Sequence, residues 1–226
     1  MSALAPSLVV AEMQARDLLR RRAVMTLFVL LPAAFYYSVP ASEEYSLLAG
    51  SMGVSWAVAA AGLFGLLGWH RVEPRLALAG ASSTQSLLGR LVVLLALGLG
   101  LVLLFAPQLL WRSSGLLVEP ALAVLALVLM AIVSVPLGLA IGALVPRELE
   151  GTLVLIGVIG VGMSVPPDTS LAQVLPMWGP LEVLQIAAAL RHGTAAGGVV
   201  HALASALVLL VVAQLAWRRR VRIARS

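Results

Sequence analysis

The sequence predicts an all-α membrane protein. It has six transmembrane helices, an N-terminal amphipathic interfacial helix, and a short outer re-entrant-like helical segment between the last two spans. Three observations predict this. The chain of 226 residues is 61% hydrophobic and only 11% charged, whereas a soluble domain carries about a quarter charged residues; its mean hydropathy is +1.04. The apolar residues fall into runs close to the roughly 20 residues that a helix needs to cross a bilayer at about 1.5 Å per residue. The fifteen basic residues, all arginine, gather on alternate connections between those runs.

Residues 1–22 come first. Leu4, Leu8, Met13, Ala15, Leu18 and Leu19 are interrupted by Glu12, Arg16, Asp17 and Arg20. That pattern reads as a helix lying at the membrane surface, with arginines toward anionic headgroups and leucines in the acyl boundary. The basic run, the apolar stretch and "VPA" before Ser42 also match a signal peptide. The amphipathic leading segment favours a retained helix.

The spans follow at residues 24–39, 47–69, 91–111, 121–145, 151–165 and 199–217. The fifth is short. A helix starting near "PRELE" lengthens it, with Pro146 suited to a helix start and Glu148 and Glu150 favourable in the first turn. Six crossings put Arg16, Arg20, Arg21, Arg22, Arg71, Arg75, Arg90, Arg147, Arg218, Arg219, Arg220, Arg222 and Arg225 on one side. These are thirteen of the fifteen arginines, with only Arg112 and Arg191 opposite. The positive-inside rule then makes both termini cytoplasmic, in a multi-pass protein of the cell's inner (plasma) membrane.

On the outer side, residues 41–46 and 112–120 make short turns. Residues 166–198 are longer and hold four of the twelve prolines. Within them "PLEVLQIAAALRHG" is helix-like, from Pro180 to a stop at Gly193, and too short to cross.

Several chemistries are excluded. The chain has no cysteine, hence no thiolate metal site or cysteine nucleophile. Without lysine it cannot form a Walker A phosphate loop, so it is not itself an ATPase. No acid or arginine falls inside the six apolar runs, which argues against an ion-coupled carrier. The histidines, His70, His192 and His201, have no zinc-site spacing. "GMSVP" around Ser164 lacks the glycine that follows the serine of rhomboid proteases. Small residues at Gly138 and Gly142, and at Gly157 and Gly160, let helix backbones approach closely, within one subunit or between two.

Together these features resemble the membrane subunit of an ABC-2 type (type V) ABC transporter. The likeness covers nearly the whole chain, by layout more than by motif. "EMQARDLLRRR" is similar to the family's cytoplasmic elbow helix (residues 1–22). "WHRVEPRLALAGASSTQSLLGR" stands where its first cytoplasmic loop carries Glu-Arg, Gly-Thr-x-Glu and Ser-Pro patterns. Arg71 matches the arginine and His70 replaces the preceding acid. "LVPRELEGTLVLIGVIG" and "LPMWGPLEVLQIAAALRHG" resemble its span four-to-five transition and its outer segment.

The resemblance implies a single permease domain over 1–226, with a coupling loop at 69–90, an outer re-entrant segment at 166–198 and a basic tail at 218–226. It implies a second permease subunit in a homodimer, two ABC ATPase subunits that hold the ATP and Mg, contact with membrane lipid, no cofactor in this chain and no nucleic acid. The substrate would be an exported apolar or amphiphilic molecule such as a lipid, drug or natural product. Coupling contacts would fall on Arg71, Glu73, Arg75 and Leu76 in the loop and on Arg16, Arg20 and Arg21 in the elbow. The permease of the cytochrome c maturation transporter shares six spans and a similar size. A non-transporting membrane assembly factor is the alternative from another class.

Overall fold

The structure, a computed structural model, describes residues 5–38, 40, 44–68 and 82–223. Among these every regular element is helical: α1 (Ala5–Arg20), α2 (Arg22–Tyr37), α3 (Glu44–Leu67), α4 (Ser83–Arg112), α5 (Pro120–Leu144), α6 (Glu148–Ser164), α7 (Ser170–Val174), α8 (Trp178–Ala187) and α9 (Ala195–Ile223). Helices α3, α4 and α5 and the Ala195–Arg219 part of α9 are long and apolar enough to cross a membrane, and α2 adds the shorter apolar helix Val24–Tyr37. That is the build of a membrane-embedded helical protein.

The six expected crossings coincide with α2, α3, α4, α5, α6 and α9, but two of them are short. The 16 residues of α2 and the 17 of α6 rise about 24 and 26 Å, less than the roughly 30 Å of a hydrocarbon core. In α6 the acids Glu148 and Glu150 occupy the first turn and shorten the apolar part further.

The bundle is organised around α5. It is apolar on every side, and such a helix belongs in an interior. Of its most apolar stretch 78% is buried, against 11% for α9. α3, α4, α8 and α9 pack around it. The tightest seam joins α3 and α5, which run parallel: Gly138 lies against Ala59 and Gly142 against Leu63 and Leu66. A Cβ on Gly138 would stand 2.0 Å from the Ala59 carbonyl oxygen, so the contact is backbone on backbone. Across α3, α2 packs antiparallel. Gly53 gives room for the Pro32 backbone, and Gly50 faces the buried Tyr36.

Chain direction alternates along α2, α3, α4, α5, α6 and α9, which gives the bundle two ends. At the near end lie α1, the starts of α2, α4 and α6, and the C-terminal part of α9. Of the described arginines, Arg16, Arg20, Arg21, Arg22, Arg90, Arg147, Arg218, Arg219, Arg220 and Arg222 are at this end, while Arg112 and Arg191 are at the far end. The far end is fastened by polar contacts. The Tyr36 and Ser113 hydroxyls lie 2.6 Å apart, Arg112 sits over the Tyr37 ring at 4.4 Å, and the backbone N–H groups of Val118 and Glu119 donate to the Ala187 carbonyl.

Element limits differ from the apolar runs in three places. α4 begins at Ser83, eight residues before its apolar run, because Ser82 and Gln85 form a capping box. α9 continues as helix to Ile223, so the basic tail is helical where it is described. α8 does not reach the expected stop at Gly193. It ends at Ala187, where Ala189 takes a left-handed φ of 52° and the Leu190 N–H reaches back to the Gln185 carbonyl, a Schellman-type closure made without glycine.

Candidate functional site

The near end gathers the residues that the sequence singles out. α1 packs on the start of α4 and reaches the end of α3 through one side chain. Its Ser7, Val10 and Ala11 meet Gly89 near the start of α4, where a Cβ would come within 2.5 Å of the Ser7 carbonyl oxygen. Its Gln14 meets Gly65 near the end of α3. Residues 69–81 connect those same two helices. α1 therefore touches both helices that this connection joins.

The inward face of α1 is Val10, Ala11, Gln14 and Leu18, a one-turn repeat that fits a helix packed on one side. Leu8, Met13 and Leu19 stay exposed. The leucine pattern thus divides: Leu18 enters the bundle, and Leu8 and Leu19 remain free to meet lipid.

Of the predicted elbow contacts, Arg16 is exposed and paired with Glu12 one turn back. Arg20 is exposed at the last turn. Arg21 marks the break between α1 and α2 and pairs with Asp17 at 2.9 Å. It also lies beside Gly68, 3.8 Å from where a Cβ there would be. Arg21 is thus next to the point where the chain enters residues 69–81. Exposed pairs of this kind contribute little to stability, at most about 1 kcal/mol, which leaves these cations free to exchange partners. Arg71, Glu73, Arg75 and Leu76 lie outside the described residues.

Sequence reasoning missed two buried polar groups at this end. Arg90 is fully buried in α4, its guanidinium 5.1 Å from the centre of the Trp217 ring. A desolvated cation over an indole contributes roughly 2 kcal/mol. Both residues border apolar runs, where Arg and Trp are expected at a membrane surface, and no local signal turns them inward. Gln14 is the second: it is fully buried, and neither side-chain polar atom has a hydrogen-bond partner among the described residues.

The four glycines divide into two pairs. Gly138 and Gly142 are consumed by the α3–α5 seam. Gly157 and Gly160 on α6 have none of the described residues within 4 Å of where a Cβ would stand, on a helix that also exposes Leu153, Val154, Ile156 and Val161.

The far end carries a cavity of about 230 Å³, lined among others by Tyr45, Met52, Trp178, Glu182 and Gln185. Its rim is stitched together. Trp178 donates from its indole N–H to the Pro167 carbonyl at 3.0 Å, and His201 Nε2 lies 2.7 Å from the Gln173 carbonyl oxygen. Arg191 bridges to Asp168 at 2.7 Å. Glu182 Oε2 is buried beside Gly198, in the first turn of α9, where the helix dipole favours an anion. Ser164 donates its hydroxyl to the Gly160 carbonyl one turn back in its own helix. Among the described residues no three His, Asp or Glu side chains come together as a metal site.

No protein-family model matches the chain, and no curated protein matches it.

Proposed function

We propose that the chain is the membrane-spanning permease of an ATP-driven ABC-2 type transporter that exports an apolar or amphiphilic substrate. ATP and Mg would bind to two separate ATPase subunits, and a second permease copy would complete the pathway. The observation that carries the reading is the seating of α1 on the start of α4, with Gln14 reaching Gly65 near the end of α3. A surface helix seated on one long helix and touching a second can pass a push to both.

Three further features support it. Ten of the twelve described arginines lie at the α1 end, with Arg112 and Arg191 opposite. The positive-inside rule makes that end cytoplasmic, with both termini inside a plasma membrane and six crossings. The two short helices, α2 and α6, cross by locally thinning the bilayer, at a modest cost per ångström of mismatch. The unfilled Gly157–Gly160 face of α6 provides a surface on which a second copy could approach closely. The short helices α7 and α8 cap the far end, where the cavity opens.

The test is co-purification from the native membrane under mild extraction. An ATPase chain should accompany the protein, and the ATP turnover of the complex should fall when residues 71–76 are scrambled with composition kept. Recovery of a folded subunit alone, with no ATPase, would replace this reading with the assembly-factor one.

A further inference from the structure

On the outer surface of the near end, α4 and α9 leave a groove of about 240 Å³ between them. Leu87, Leu88, Leu91, Leu210, Val211 and Leu215 form its walls. Among the described residues the only polar liners are Thr84 and Gln214, both at one end, and none of the described liners is a carboxylate. Gln214 Nε2 and Arg218 Nη2 both donate to the Thr84 hydroxyl, each at 3.0 Å. Arg218 continues the stripe of Val211, Gln214 and Leu215 one turn beyond the groove, and it is exposed. The start of α4 faces the same rim with no acid in its first turn, so the positive end of its dipole adds to Arg218. The near-end ion pairs among the described residues join Arg16 to Glu12, Arg21 to Asp17 and Arg147 to Glu150. None of them takes up Arg218.

We propose that this groove is a binding site for one anionic phospholipid, with an acyl chain along Leu87–Leu91 and Leu210–Leu215 and the headgroup phosphate on Arg218. The groove extends over about 10 Å of α4, from the polar end at Thr84 to Leu91 at about 1.5 Å per residue. That is a seat for a hydrocarbon chain, and an aqueous ligand would gain nothing from it. The polar cluster stands at one end, as a headgroup stands at one end of a lipid. An arginine at a helix end reaches the membrane surface by extending its stem along apolar neighbours. Charge decides the class of lipid: a cation at the rim, with no carboxylate among the described lining residues, favours an anionic headgroup over a zwitterionic one. The site does not depend on the transporter reading.

The experiment is native mass spectrometry of the full chain in detergent, titrated with dioleoylphosphatidylglycerol or dioleoylphosphatidylcholine. The anionic lipid should be retained about fivefold more tightly, the effect of one arginine near a membrane surface. Arg218→Gln, which keeps an amide donor for Thr84, should bring the two lipids level. Leu215→Trp, which fills the groove, should lower retention of both. Arg191→Gln at the far end removes the same charge and should leave the preference intact. Equal retention of both lipids by the unaltered chain would overturn the site. So would loss of preference in Arg191→Gln, full retention in Leu215→Trp, or displacement of the lipid by inorganic phosphate.

Discussion

Gly138 and Gly157 are the same residue in similar apolar surroundings, and the bundle uses them in opposite ways. At Gly138 a methyl group would meet the Ala59 carbonyl oxygen at 2.0 Å. Neither backbone can yield without opening the α3–α5 seam. Gly138→Ala is therefore expected to destabilise the chain by about 3 kcal/mol, the upper end of ordinary overpacking costs. Gly157→Ala meets open space and should leave the unfolding midpoint in detergent unchanged. Thermal unfolding of the two purified variants checks this directly, and equal destabilisation would refute the distinction. If α6 also carries the contact with a second copy, Gly157→Ala weakens the pair while sparing the single chain. Residue identity alone does not separate these roles. Both glycines sit in apolar helices, and only the neighbour across the gap tells them apart. The same holds for Arg90, which borders an apolar run like other orienting arginines but turns inward onto Trp217.

Among the elements, α1 is where pattern and packing diverge most instructively. Its alternation of leucines and arginines identifies an amphipathic helix, and the helix is there at Ala5–Arg20. Which face goes inward is set by Gly89, which lets α1 descend onto α4, while Gly65 leaves room for the Gln14 side chain. The inward face accordingly includes the polar Gln14 and leaves Leu8 and Leu19 outside. Gly89→Val should lift α1 off the start of α4, since even a Cβ there approaches the Ser7 carbonyl oxygen to 2.5 Å. The expected result is faster proteolysis within residues 5–20 while the α3–α5 core keeps its unfolding midpoint. Unchanged protection of α1 would show that the helix is held elsewhere. α8 gives the complementary lesson. Its start at Pro180 is legible to within a turn, but Ala189 in a left-handed conformation ends it well before Gly193. A non-glycine residue in that conformation costs roughly 1–2 kcal/mol, so the surrounding packing and not local preference imposes the stop.

At the scale of the whole molecule, orientation can be tested simply because the chain contains no cysteine. The thiol of a His192→Cys variant should react with an impermeant maleimide in intact cells. That of Arg219→Cys should react only after the membrane is opened. The reverse labelling would invert the molecule and remove the basis for placing an ATPase at the α1 end. The sequence by itself determined the helical class, the positions of the long helices and the uneven distribution of arginine. These follow from composition and run length, because a bilayer accepts only segments that satisfy their own backbone hydrogen bonds. Tertiary structure alone decided that α5 is central and α9 peripheral, that α1 packs on the start of α4, and that α4 and α9 leave an arginine-rimmed groove. The physical reason is that apolar side chains are about equally at home against lipid and against one another. Hydropathy therefore records that a helix belongs in the membrane but not which helix it touches. That choice is made by close-fitting surfaces, above all where a glycine meets a neighbouring backbone.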